Sequence, residues 1–533
     1  MSFNLYQLVG RDLVWLLDFT YAGREFRLAR GFETYTDEDG DDHEYQPGLE
    51  WGGTLEDEID LLSDAPSPNQ VGLTLHLGDL INVPEHVALG HDLAAATGKL
   101  YLWARGTSER QLLIDGRVLD PQYGAAHQPV TLSIEEAPFD DLALFPPATA
   151  QINTTTWASH VDGVTEERYP WIFGAPGGGS TYGSPGLWVD ADKLLIAGHP
   201  KTGGANVHVW NTSKLDIGGA SGSLAVDVEA DGLGREVSVV DIHTLANVEE
   251  ADEYWIQWDA ADATGQADHD QTAILGAGSV LRFMMEQSDV RWDRGRIAAI
   301  LPALNLYRID AAVVVGPGSR FSPLSWVQEH LSPILPISAR QGEHGLYYSL
   351  FHYDAEITAA VAKISVERGD AVREGAVSYS PVDSIANEIR LSYAPNAKDN
   401  KSTALFVLTG DDDTLDTEAG SVSNAPCRVS RDRFGLRVLE LSTDVIYDSG
   451  TAGRICSWLS SAFALPSRTI AYVAAPEFGH LEPGDVVTIS DSEIYLDELV
   501  CLVDSVTWTE SGSVGLVLRA IDNPARESFG GET

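Results

Sequence analysis

Lysine is almost missing from this 533-residue chain: Lys99, Lys193, Lys201, Lys214, Lys363, Lys398 and Lys401 stand beside 27 arginines. With 80 Asp and Glu against 34 Lys and Arg, the formal charge is −46 at pH 7 and the pI is near 4.4. Clustered cations for neutralising phosphates are scarce, which argues against nucleic-acid recognition through a basic surface and against binding to anionic membranes. A carboxylate-rich, lysine-poor surface stays hydrated where molar salt cuts the Debye length to about 3 Å. The composition is that of a halophilic protein; a GC-rich genome that replaces Lys by Arg gives the same bias.

Cysteine is equally sparse. Cys427, Cys456 and Cys501 form no CxxC pair, so neither a disulfide framework nor a zinc ribbon follows, and buried thiols are expected. No apolar run reaches the roughly 18 residues of a membrane span. The opening MSFNLYQLVGRDLVWLLDF lacks a basic leader and a small-residue cleavage site, so no secretion signal is expected. What remains, 44% hydrophobic and 21% charged, is a globular chain. Its length suggests three or four domains of about 100 to 200 residues.

Runs with period two, bounded by turns, dominate the chain. Val14 to Phe19 and Phe26 to Ala29 flank a turn, and Val71 to Leu77, Leu100 to Trp103 and Val130 to Ile134 continue the pattern. Residues 1–150 are expected to form an N-terminal β domain, a sandwich or a barrel. ERYPWIFGAPGGGSTYGSPG closes a Gly/Pro-rich linker, 151–186, expected to run extended rather than to pack. Val207 to Trp210, Leu224 to Val226 and Val237 to Val240 place a second β domain at 187–265.

The period then changes: Val280, Phe283, Met284 and Gln287 share a helical face, and Ile297 to Leu304 is another apolar stretch. Ser322-Pro323 before LSWVQEHL is a capped helix start, making 266–385 a mixed α/β domain. Over 386–533 strands return: Glu388 to Tyr393, Ala404 to Leu408, Thr469 to Val473, Val486 to Ile489, Leu499 to Trp508 and Val514 to Ile521. One helix, Thr451 to Phe463, interrupts them. The expected fold class is mainly β with some α, multidomain, built of β-sandwich or barrel domains.

Stretches that invite a chemical role mostly lack its pattern. TYTDEDGDDHEY gathers acids around Gly40, but Tyr35 breaks the EF-hand order, and an Asp39-Gly40 hairpin turn accounts for it. TGDDDTLDTEAG, residues 409–420, suits a cation or a solvated acidic loop. GAPGGGSTYGSPG has the glycines of a phosphate loop without the Gly-Lys-Ser/Thr. Glu85-His86 with His91, and His344 with His352, lack a third ligand at metal spacing. No GxSxG elbow is present. No catalytic, cofactor-binding or metal residue is nominated, and neither enzyme activity nor a cofactor is expected.

Five stretches taken in order carry a resemblance: NEIRLSYAPN (387–396), SRDRFGLRVLEL (430–441), DSGTAGRICSWLSSAF (448–463), LEPGDVVTIS (481–490) and LVCLVDSVTWTESGSVGLVLRAI (499–521). Together they resemble the closing domain of baseplate or tail-tip hub proteins of tailed, siphovirus-like viruses. The resemblance implies a structural protein that closes the distal end of the tail tube. It implies a homotrimer whose repeated barrel-like domains present a pseudo-sixfold ring, opening for DNA ejection. The implied partners are the distal tail or tail-tube protein, the tape-measure protein, and tail-tip or fibre proteins. The implied place is the tail tip of a virion assembled in the host cytoplasm, and the scarcity of lysine points to a haloarchaeal virus.

In this frame Asn387 to Tyr393, the stretch His480 to Trp508 and the Val514 to Ile521 hairpin arm are expected to close one barrel, with Pro483 and Gly484 at the second and third positions of a type II turn. Two other readings stay open. A carbohydrate-active tail-tip hydrolase needs two carboxylates about 5 to 10 Å apart, and a receptor-binding adhesin needs several of the 13 tryptophans on one exposed face. The halophilic composition predicts a thermal midpoint that rises between 0.1 M and 2 M salt. Full stability at 0.1 M would refute it.

Overall fold

The computed structural model describes residues 13–50, 54–58, 70–78, 80–136, 144–159, 162–177, 182–190, 192–201, 206–212, 217, 224–243, 253–258, 274–288, 290–317, 319–342, 345–351, 359–396, 401–410, 422–509 and 513–521. It is a mixed, multidomain protein whose β-sheets form barrel-like arrangements. Two compact units are assembled from separated stretches: unit 1 from 1–140, 336–381 and 466–533, and unit 2 from 141–335 and 382–465. The divisions expected from the sequence are contiguous.

Unit 1 holds two barrels, each closed by one bent stretch of chain bonded to both ends of its sheet. In the first, strands Arg24–Ala29, Leu13–Tyr21, Thr97–Ala104, Arg110–Gln122, Val130–Glu136 and Gln70–Leu75 lie side by side in that order. Asp42–Pro47 pairs parallel with Arg24–Ala29, and Leu49–Glu50 pairs antiparallel with Gln70–Leu75. Gly48 is the corner between them. Its N–H donates to Ala29 O at 3.0 Å, and its carbonyl accepts from His76 N at 2.8 Å. A Cβ there would stand 3.1 Å from both His76 O and the Leu28 side chain, and closure at this corner removes two open sheet edges.

The second barrel repeats the device. Val486–Asp491, Leu496–Thr509, Val514–Ala520 and Arg468–Ala474 are neighbours in that order. Ala362–Ser365 runs parallel to Val486–Asp491, and Ala371–Arg373 runs antiparallel to Arg468–Ala474. Asp370 holds the bend between them: its carboxylate accepts from Ser365 N at 2.8 Å, and its carbonyl accepts from Ala475 N at 2.8 Å. Thr54–Glu58, which follows the first barrel's closing stretch, pairs antiparallel with the far half of Leu496–Thr509. Alternate residues of both barrels, among them Leu17, Leu100, Ile134, Ile364, Val503 and Leu516, enter one buried cluster.

Glu388–Asn396, expected beside the Val486 strand, lies elsewhere. In unit 2 it pairs with Lys401–Thr409 and Val438–Ser442 in a four-stranded sheet. The helix Ser449–Phe463 packs on this sheet, its buried face carrying Ala452, Ile455, Cys456 and Leu459. An apolar strand face needs a cover, and this helix supplies it without the barrel. The expected helices are present as Ala277–Gln287, Arg294–Leu304 and Pro323–His330, the last capped by Ser322 Oγ accepting from Ser325 N. The second β region forms a seven-stranded sheet.

The stretch expected to be an extended linker is packed from Arg168 to Gly177. Trp171–Phe173 is a strand paired with Ala311–Val313. Gly174 turns sharply with φ +62°, where a Cβ would collide with Asp310. Lys201 reaches in from the next segment: its Nζ donates to Gly174 O at 2.9 Å and lies 3.6 Å from the Trp258 ring centre. The glycines and prolines here serve close packing, because three large apolar residues in a row leave no solvent face. At the first barrel's corner, Gly48→Val should lower the urea midpoint of unfolding, by about 1 to 3 kcal/mol of overpacking. Tryptophan fluorescence reads the transition, and an unchanged midpoint would remove Gly48 from the closure.

Candidate functional site

The acidic run at 34–45 folds as the expected hairpin, with Glu33–Thr36 antiparallel to Asp42–Pro47 and Gly40 at φ +87°. Asp37 anchors the turn. Its carboxylate accepts from Asp39 N (3.0 Å) and Asp41 N (2.9 Å) and lies 2.9 Å from His43 Nε2. The His43 hydrogen bond and these N–H groups hold Asp37 below the usual carboxylate range. Among the described residues no group of three or more His, Cys, Asp and Glu is placed to hold a metal. His86 and His91 pack ring against ring at 5.5 Å. Residues 411–420, His344 and His352 lie outside the described residues.

All three cysteines are buried free thiols, as expected. Burial pushes Cys427 up to about 11 and Cys456 up to about 12, which leaves both as inert thiols near neutral pH. Burial, with the Lys201 charge beside it, holds His199 down at about 4. That imidazole is neutral and stacks between Trp171 and Phe173, its Nε2 lying 2.8 Å from Ile172 O. These groups hold the interior together and face no solvent.

Two of the stretches carrying the resemblance, 387–396 and 430–441, are joined by one side chain. Asn387 is fully buried; its amide donates to Gly435 O at 2.8 Å and Ser430 Oγ at 3.2 Å, and its carbonyl accepts from Arg437 N at 2.7 Å. One side chain thus ties the start of Glu388–Asn396 to both ends of the Ser430–Gly435 stretch. That stretch ends a helix not expected from the sequence, Ala425–Phe434, capped by Asn424. Beside it, buried Glu388 lies between Arg390 (2.8 Å) and Arg431 (3.6 Å). Asp448 caps Ser449–Phe463 by accepting from Thr451 N at 2.7 Å. The Trp458 indole donates to Ile334 O at 2.8 Å.

In the second barrel the Pro483-Gly484 turn has the expected form. Asp485 N donates to Glu482 O at 3.0 Å across the turn, and Gly484 takes φ +100°. A Cβ on Gly484 would also press to 2.9 Å against the Phe351 ring. The position is closed to side chains by backbone and by packing.

Residues 354–504 match a family model described as a putative phage tail protein. The similarity to that family is confined to this segment. It takes in the second barrel's closing stretch, the four-stranded sheet with its two helices, and two strands of that barrel with most of a third. Among solved structures, the chain is similar to the tail protein from Neisseria meningitidis MC58, with TM-score 0.36 and 10% identity, covering 95% of this chain and 96% of that one. It is similar to the 43 kDa tail protein of prophage MuSo2 from Shewanella oneidensis, with TM-score 0.33 and 10% identity over 95% and 98%. A chain of the virion of a native gene transfer agent particle has TM-score 0.36 and 14% identity over 75% and 91%. No curated protein matches the chain.

Replacing Asn387 by Leu leaves the Arg437 N–H and the Gly435 carbonyl without that partner, and should cost about 1 to 3 kcal/mol in chemical denaturation. A loss below 0.5 kcal/mol, an order-of-magnitude threshold, would show the tie to be dispensable. Gly484→Val should impair folding or assembly, read as loss of soluble protein and a lowered thermal midpoint; wild-type behaviour would show that the turn tolerates a side chain. Iodoacetamide at pH 8 should leave all three thiols unmodified in the folded protein and label them after denaturation. Labelling of the native protein would contradict their burial.

Proposed function

We propose that this tail-associated structural protein is the baseplate hub that closes the distal end of a tail tube and opens for DNA passage. The observation that carries the reading is the repeated barrel in unit 1. Two sheets, each closed by a bent stretch running parallel to one neighbour and antiparallel to the other, give one chain two similar bodies. Three copies then present six, which fits a sixfold tube by number. The family match over 354–504 supports a tail setting.

The net charge of −46 suits a passage for DNA, because carboxylates lining it would repel phosphates and keep the polymer from sticking. In this role the tube protein above, the tape-measure protein, and tip or fibre proteins below are the partners. The lysine-poor composition supports a halophilic archaeal host. Native mass spectrometry of the full chain, alone and with the tail-tube protein of the same particle, should give a trimer that binds tube subunits. A monomer that neither trimerises nor binds them would sink the hub.

A further inference from the structure

We propose that the free edge of the four-stranded sheet in unit 2, the strand Val438–Ser442, captures an extended segment of a different polypeptide, one that alternates apolar side chains with lysine or arginine. This strand is last in its sheet and, among the described residues, pairs with Glu388–Asn396 alone. The pairing is parallel and runs without a register shift from Glu388 opposite Val438 to Ser392 opposite Ser442. Its two ends fix which groups are used: Glu388 N donates to Arg437 O at 3.0 Å, and Thr443 N donates to Ser392 O at 2.9 Å. Residues 437, 439, 441 and 443 therefore turn their backbone groups to Glu388–Asn396, and Val438, Glu440 and Ser442 turn theirs outward. All three outward residues are exposed.

A row of N–H and C=O groups at β spacing fits one kind of ligand, another strand. Nothing within Val438–Ser442 blunts the edge by the usual means, since it has no Pro, no Lys and no bulge. The side chains favour an apolar visitor on one face. Leu439 and Leu441 lie opposite the fully buried Ile389 and Leu391, on the face that the helix Ser449–Phe463 covers, yet both are only half-buried. Apolar side chains on a docked strand would complete their burial. At the start of the strand Leu436 is 50% and Val438 42% exposed, an apolar lip for the same segment.

Charge selects against a second copy. Glu440 is the middle outward residue, and its side chain stays 71% exposed although Arg390, shared with Glu388, lies 3.2 Å away. Two copies pairing antiparallel over the whole strand would set Glu440 opposite Glu440, and like charges directly opposite destabilise a sheet. Each copy also carries −46. A lysine or arginine opposite Glu440 turns that repulsion into a cross-strand ion pair. Strand capture at this edge is independent of the hub reading.

Hydrogen–deuterium exchange of the full chain reads the edge directly, in 1 M NaCl, where the Debye length is about 3 Å and general attraction to an acidic protein is screened. The probe is a short acetylated peptide alternating valine with lysine; the controls are the same peptide N-methylated throughout, and one with glutamate for lysine. The lysine peptide should slow exchange in the fragment containing residues 436–443. The N-methylated peptide should bind at least tenfold more weakly, and the glutamate peptide about threefold more weakly. Ser442→Pro removes one outward N–H and leaves the ladder bonds in place, so it should weaken binding at least tenfold while the thermal midpoint stays within a few degrees. Glu440→Lys should reverse the preference toward the glutamate peptide, and it carries the test should the proline variant unfold. No protection of this fragment, equal binding of either control, or binding unchanged by both variants overturns the proposal. Protection that rises with protein concentration in the absence of peptide also overturns it, by giving the edge to a second copy.

Discussion

Unsatisfied strand edges are the constraint on which unit 1 is organised. An open sheet exposes a row of N–H and C=O groups that will pair with any available strand. The chain answers it twice in the same way, with one short stretch bonded to the first and last strands of its own sheet. The bend that makes this possible differs in chemistry. Gly48 achieves it by lacking a side chain between Leu28 and His76, whereas Asp370 achieves it with a carboxylate that accepts the Ser365 amide. Once both edges are consumed, partners have side-chain faces rather than backbone to bind in those barrels.

Legibility followed locality. Strands such as Leu13–Tyr21 and Val514–Ala520 showed themselves because alternate residues enter the core, and Pro483-Gly484 because a type II turn restricts both positions. The helix Ala425–Phe434 stayed hidden behind its Arg and Asp residues. Its signals were there to use: Asn424 as N-cap, Pro426 in the first turn, and Gly435 beyond the last. Thr54–Glu58 gave no such sign. It has one buried apolar residue, Leu55, and its partner lies near the far end of the chain. The stretch around Trp171 misled because glycine and proline mark close packing as well as loops.

Two of the stretches behind the resemblance have a physical reason to occur together. Asn387, Ser430, Gly435 and Arg437 form one hydrogen-bonded knot, so the strand and the helix that end there depend on each other. Buried polar groups tolerate substitution poorly when every member has a partner. Among the described residues, three kinds of group that could carry chemistry have structural roles. Asp37 builds a turn, His199 fills a stack, and the cysteines behave as small apolar residues.

The strand Thr54–Glu58 also sets a timetable. Every described element of unit 2 has been synthesised by residue 465, whereas the sheet this strand joins still awaits Arg468–Ala474, Leu496–Thr509 and Val514–Ala520. An early segment must therefore stay uncommitted while the ribosome makes the intervening residues, and the second barrel forms only after residue 520 has been made. A surface created by that barrel exists only on chains that reach residue 520, so products truncated before it cannot enter an assembly built through it.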